Sequence, residues 1–303
     1  MDGTAAHRDD IRDFLVSRRA RLLPEQVGLP AGPRRRVAGL RREEVAVLSG
    51  VSTEWYIRLE RGNIAGVSED VLDAVARALR LTDDERGYLF DLAEAARSER
   101  RIATRARDTA SSIPAGVDGP VQWLIDSVTE SAVFLRNGRL DLVATNALGR
   151  ALHAPMLESP TAKPGLPNFA RFHFLDPVAR DFFVDWQGGA AATVALLRAE
   201  AGRHPGDRVL RALVGELSTA SQEFRTLWAA HDVRSRHEGV KQLQHPVVGF
   251  LELTYQSAEL ADQRKAARFL NLYTAAPGST HADRLRVLAS WSADARSSAA
   301  LAE

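Results

Sequence analysis

No cysteine occurs in this chain of 303 residues, which excludes a disulfide framework, a thiolate metal site and a cysteine nucleophile. That absence suits a reducing cytoplasm. An uninterrupted apolar run of transmembrane length is also missing, and the opening stretch MDGTAAHRDD is too charged for a secretory signal. The expectation is a cytoplasmic protein that does not enter a membrane. Catalytic signatures are lacking too: there is no glycine-rich phosphate loop, no G-x-S-x-G and no H-E-x-x-H. His231, Asp232, His237 and His245 have a metal-like composition, but their spacing matches no ligand pattern and turn histidines account for them more simply. A haem ligand at His173 or His231 has no better support. The sequence points to no enzyme, no metal and no cofactor.

Net charge is small as well, at +1, so any polyanion partner must be recognised through the distribution of charge. From Arg8 to Gly62 there are twelve arginines against eight acids, and from Asn63 to Arg100 five arginines against nine acids. A basic front and an acidic back would orient a small domain on DNA.

The basic front contains Arg34–Gly62, RRRVAGLRREEVAVLSGVSTEWYIRLERG. It has the spacing of a helix-turn-helix whose two short helices meet at Ser49-Gly50-Val51. Ala46 lets the helices approach, Gly50 tolerates the left-handed turn backbone, and Tyr56 and Leu59 supply the inward face. On a helix from Thr53 to Arg61, the face formed by Thr53, Glu54, Ile57, Arg58 and Arg61 points away from the core. Thr53 and Glu54 are placed for base edges, Arg58 for guanine or phosphate, and Arg61 for phosphate. Arg41 and Arg42 open the preceding helix, where backbone N–H groups already favour a phosphate. Arg34, Arg35 and Arg36 precede it in irregular chain with reach along the DNA backbone or into a minor groove. The competing reading pairs these arginines with Glu43, Glu44 and Glu60 in a solvated face.

Around this motif the pattern is helical only. Ile11, Phe14, Leu15 and Leu22 give a first helix an apolar face, and Ser68 is positioned to cap a fourth. Thr82 and Glu85 form a T-x-x-E capping box before a fifth. Residues 1–97 thus read as an all-α DNA-binding domain and 98–119 as a linker ending in Ser-Ser-Ile-Pro-Ala-Gly. Residues 120–303 read as an α+β domain with one antiparallel sheet. Ala132–Leu135 and Leu140–Ala144 flank Asn137-Gly138, a hairpin signal. Helices are expected over Pro177–Trp186, Ala190–Ala201, Arg208–Leu217 and Ser221–His231. Strands are expected at Val240–Gln244, Gly249–Gln256 and Arg268–Thr274, then a last helix around Arg284–Trp291. Leu251, Leu253 and Tyr255 alternate with Glu252 and Thr254, as in a sheet with one buried face.

LRREEVAVLSGVSTEWYIRLERG resembles the helix-turn-helix of the XRE, lambda-repressor-like regulators. The preceding Pro/Gly-rich connection and triple arginine narrow the resemblance to the MmyB-like subgroup. DPVARDFFVDW, LLRAEAGRHPGD, LVGELSTASQEFRTLWAAHDV and HPVVGFLELTY are similar to that subgroup's ligand-binding domain, so the likeness covers about residues 8–290. It implies a PAS-like carboxy-terminal fold, a role in transcription regulation and a small apolar ligand, fatty-acyl compounds being the suggested class. Thr145 stands where the family usually has an aromatic before its asparagine, Asn146. That exchange alters pocket volume or polarity.

Within the aromatic-rich second domain, Trp186, Trp228, Tyr255 and Tyr273 are the candidate ligand contacts, each joining a polar tip to an apolar body. Asn146, Arg171 and His231 are the candidate polar anchors, with a strand-end hydrogen bond or a surface charge as the plainer reading. The expected partners are double-stranded operator DNA, a small apolar effector and a second copy of the chain, since paired half-sites multiply the specificity of one helix-turn-helix. A ligand-free dimerisation role for the second domain is the alternative.

Overall fold

The computed structural model describes residues 3–30, 35, 37, 39–64, 66–102, 119–162, 167–230, 238–260 and 268–300. They fall into two compact units. The first holds helices α1 (Gly3–Arg21), α2 (Arg42–Ser49), α3 (Thr53–Glu60), α4 (Glu69–Ala78) and α5 (Asp83–Ile102). Ile11, Phe14 and Leu15 of α1 are buried against Val45, Ala46, Tyr56, Leu59, Leu72 and Leu89, with Tyr88 edge-on to Phe14 at 5.1 Å. Burying such side chains contributes about 1.5–3 kcal/mol each. Gly50 ends α2 at φ 68°, the left-handed conformation the turn needs. Ser52 then starts α3, its Oγ accepting from the Trp55 amide at 3.1 Å. Thr82 and Glu85 cap α5 reciprocally. Ser68 departs from expectation: it stands at the N-cap of α4, but its side chain is exposed and makes no capping hydrogen bond.

The expected boundary at residue 120 differs from the observed division, because Arg198–Ala212 and Leu227–Arg234 also belong to the first unit. Arg198 is buried there with its guanidinium 4.3 Å from the Trp228 ring centroid, donating to the Trp228 carbonyl. Gly202 lies so near the Tyr88 ring that a Cβ would come within 2.6 Å of it. The second contact joins residues more than a hundred positions apart, which no local pattern announces.

The second unit contains a five-stranded antiparallel sheet in the order β2-β1-β5-β4-β3. In chain order, α6 (Gly119–Ser127) leads to β1 (Ala132–Asn137) and β2 (Leu142–Thr145). Short helices α7 (Ala147–Leu152), α8 (Ala154–Leu157), α9 (Phe169–Leu175) and α10 (Val178–Phe182) follow, then α11 (Trp186–Arg203), α12 (Arg208–Ala220) and α13 (Gln222–Ala229). The chain returns through β3 (Glu238–His245), β4 (Gly249–Leu260) and β5 (Arg268–Thr274) to α14 (Thr280–Ala300). This is the α+β, PAS-like arrangement that the resemblance implies. The hairpin turn is centred one residue later than expected. Asn137 stays in β1 opposite Arg268, and its side chain accepts from the Asp141 amide at 3.0 Å and donates to the Asp141 carboxylate at 2.8 Å. The helix expected over Pro177–Trp186 is broken at Phe183, which bridges to Leu243.

Strand alternation divides the sheet into two faces. Ala132, Phe134, Leu243, Leu251 and Leu253 form an inner face packed with Leu148, Met156, Phe172, Phe182 and Leu285 from the helices. Val133, Leu135 and Ala144 form the outer face, where Ile125 of α6 packs. Among the described residues no helix is long and apolar enough to cross a membrane.

Candidate functional site

In the first unit, α3 exposes Glu54, Arg58 and Arg61. Offsets of four and three put them in one stripe, while Tyr56 and Leu59 on the opposite side are buried. Thr53 and Ile57 flank the stripe, half-buried. Arg61 is the C-cap of α3, beyond the stripe's start. Neither Arg58 nor Arg61 forms an ion pair within the described residues, so both guanidinium groups are available to an outside anion.

The arginines preceding α3 behave differently. Glu60, only 1% exposed, accepts from Arg19 Nε at 2.8 Å and Arg42 Nε at 2.7 Å. Arg35 grips Glu44 through both terminal nitrogens at 2.7 Å and donates to the Gly39 carbonyl at 2.9 Å. The Arg35 guanidinium holds the Glu44 carboxyl below its ordinary pKa. Glu44 also accepts from the Arg41 amide at 2.7 Å, which caps α2. Two of the expected phosphate contacts thus have carboxylate partners within the chain. Arg35 is a brace between the basic run and α2, and Arg42 neutralises a buried carboxylate while keeping 46% of its side chain exposed. Arg41 remains half-buried at the N-cap of α2. Arg34 and Arg36 lie outside the described residues.

Among the ligand candidates, Tyr255 and Tyr273 are brought together. They are opposite each other in the β4–β5 ladder with ring centroids 5.8 Å apart, and Tyr273 also meets Phe134 at 5.3 Å and His153 at 5.9 Å. The other described candidates have partners within the chain. Asn146 Oδ1 accepts from the Gly149 amide at 2.7 Å and the Val133 amide at 3.1 Å. Its Nδ2 donates to the Val128 and Ser131 carbonyls at 2.6 and 2.9 Å. Its hydrogen-bonding capacity is filled, and it is a helix cap. Arg171 pairs with Glu216 at 3.0 Å. Trp228 belongs to the first unit, beneath Arg198. Trp186 stacks on His173 at 5.0 Å and donates its indole N–H to the His173 carbonyl at 3.1 Å, so its polar tip is used in packing. His231 lies outside the described residues, as do Asp232 and His237. His245, the remaining member of that group, faces the Ala151 carbonyl at 3.2 Å.

Sequence reasoning missed Lys241. It lies opposite Leu253 in the β3–β4 ladder and shares the inner face with Leu243. Its ammonium stands 5.6 Å from the Phe183 ring centroid. Burial lowers its pKa, opposed by the charge of Asp185. His153 and His173 face the same cation and are held at about 4, chiefly by burial. Tyr273 is pushed upward, also by burial. Yet Lys241 and Tyr273 each retain accessible surface. Both are half-buried beside aromatic rings, Lys241 near Phe183 and Tyr273 near Phe134 and Tyr255. The signal was legible in parity: residue 241 is in phase with the apolar Leu243, where a charge is out of place.

Two family models match the chain. Residues 18–89 match a helix-turn-helix domain, and residues 117–288, more than half of the chain, match the MmyB-like transcription regulator ligand binding domain. Among curated proteins none matches the chain.

Proposed function

Because the chain belongs to the MmyB-like transcription regulators, we propose that its first unit reads an operator through α3 while its second unit holds a small apolar effector on the inner face of the sheet. Thr53 and Glu54 contact base edges at the start of α3, and Arg58 and Arg61 bind phosphate or guanine. The effector, of the fatty-acyl class that the resemblance suggests, lies along Phe134, Tyr255 and Tyr273 with its polar end toward Lys241. The single observation that carries this reading is that Lys241, Tyr255 and Tyr273, all half-buried, share one face of the sheet with the Phe134 ring. Effector binding changes operator affinity by favouring one conformational state of the regulator. Two copies of the chain occupy paired half-sites in the cytoplasm, and the chain carries out no catalysis of its own.

The experiment is extraction of the purified protein with organic solvent, mass spectrometry against a mock preparation, and titration of operator binding with the compound found. A stoichiometric apolar compound that shifts operator affinity supports the reading. A clean extract, with no change in operator affinity across a panel of apolar compounds, favours a ligand-free dimerisation unit instead.

A further inference from the structure

Building on that effector reading, we propose that Lys241 forms a reversible imine with an apolar aldehyde, so that the second unit responds to a carbonyl compound. The first support is positional. Lys241 is a basic side chain on the apolar parity of β3, beside the Phe183 ring, and among the described residues no carboxylate reaches ion-pairing distance of it. The titratable groups coupled to it through charge are His153 and His173, both buried, and Asp185. A permanent cation on such an apolar face is costly.

The second support is the choice of residue. The chain has 37 arginines and three lysines, Lys163, Lys241 and Lys265. An arginine would serve an anionic ligand at least as well, with five donors and an undying charge. What an amine offers beyond a guanidinium is the ability to lose its proton and become a nucleophile, which desolvation promotes. In the reaction, Lys241 first releases its ammonium proton to solvent, and the lone pair of the neutral nitrogen then attacks the carbonyl carbon as the carbonyl π pair moves to oxygen. Proton transfer from nitrogen to oxygen gives a carbinolamine, which loses water as the C=N bond forms. The products are the imine and one water, no oxidant or reductant is consumed, and hydrolysis reverses the step. The neutral imine leaves the apolar face without a cation.

Decanal is the probe, added to the full-length protein with cyanoborohydride, which reduces any imine to a stable secondary amine. Peptide mapping then gives the rate at each lysine. Lys241 is expected to react about tenfold faster than Lys163 and Lys265, as a desolvated amine in an apolar site should. An excess of decan-1-ol should suppress that advantage. Lys241→Arg, checked for fold by circular dichroism, should lose the fast adduct. Equal rates at the three lysines, or a fast Lys241 reaction that decanol leaves untouched, would overturn the proposal. Thermal unfolding separates the two readings. Stabilisation by decanol or decanoate without a fast adduct removes the imine but keeps the effector site, while no stabilisation and no adduct removes both.

Discussion

Buried charge is handled in opposite ways by the five-helix part of the first unit and by the inner face of the sheet. Among α1–α5 and the run before α2 it comes in pairs: Glu60 with Arg19 and Arg42, Glu44 with Arg35, and Arg18 with Glu85 at 3.0 Å. On the inner face of the effector unit, His153 and His173 are held uncharged, and Lys241 has an apolar ring where a counter-ion would be. A paired charge is indifferent to its surroundings until one partner is removed, and then the loss is large. An unpaired titratable group answers to pH and to whatever enters the space beside it. The first arrangement suits a rigid reader of DNA, and the second suits a sensor.

The largest expected effect breaks a pair. Glu60→Ala should destabilise the DNA-binding unit by about 3–5 kcal/mol, because Arg19 is left with a buried, uncompensated charge. Urea unfolding followed by circular dichroism measures it, and an unchanged midpoint would show that the pair contributes nothing. Next comes pH. His153 and His173 titrate at about 4 in the fold and near 6.5 when unfolded, so their contribution is complete above pH 6.5 and disappears as pH falls toward 4. The effect is on the order of 3 kcal/mol for each histidine. Glu44, with its pKa lowered from 4.5, loses its contribution only below that value. Hydrogen exchange at pH 7 and pH 5 should therefore show the effector unit loosening first. Simultaneous loss of protection in both units would dissolve the contrast.

Smaller effects test the DNA face. Arg61→Ala should weaken binding to all sequences and reduce the salt slope by about one, whereas Arg35→Ala should leave the slope alone and cost about 1–3 kcal/mol of stability. A reduced slope in the Arg35 variant would return that residue to the phosphate contacts. Smallest are the helix caps. Ser52→Ala should cost about 1 kcal/mol, whereas Ser68→Ala, with no capping bond to lose, should stay within a few tenths. Chemical denaturation of the two variants side by side would reveal whether Ser68 caps in solution.

Much of this was legible. The Gly50 turn, the Thr82/Glu85 box, the Leu251–Leu253 alternation and the outward stripe of α3 all depend on residues within a few positions of each other. The partners of the candidate ligand residues depend on distant ones. Asn146, a candidate polar anchor with a strand-end hydrogen bond as the plainer reading, holds Val128, Ser131, Val133 and Gly149 together. Trp228 looked like a pocket aromatic until Arg198 settled over it.

The sequence by itself determined the helix-turn-helix, the antiparallel sheet and the side of each element that turns inward, because helix and strand periods and capping bonds are local properties of the chain. Only the tertiary structure decided which arginines keep an open guanidinium and which cation lies beside an apolar ring. Arg19 and Glu60 are 41 positions apart and Arg42 and Glu60 are 18 apart, so whether a charge is matched or left alone is settled only when the chain has folded upon itself.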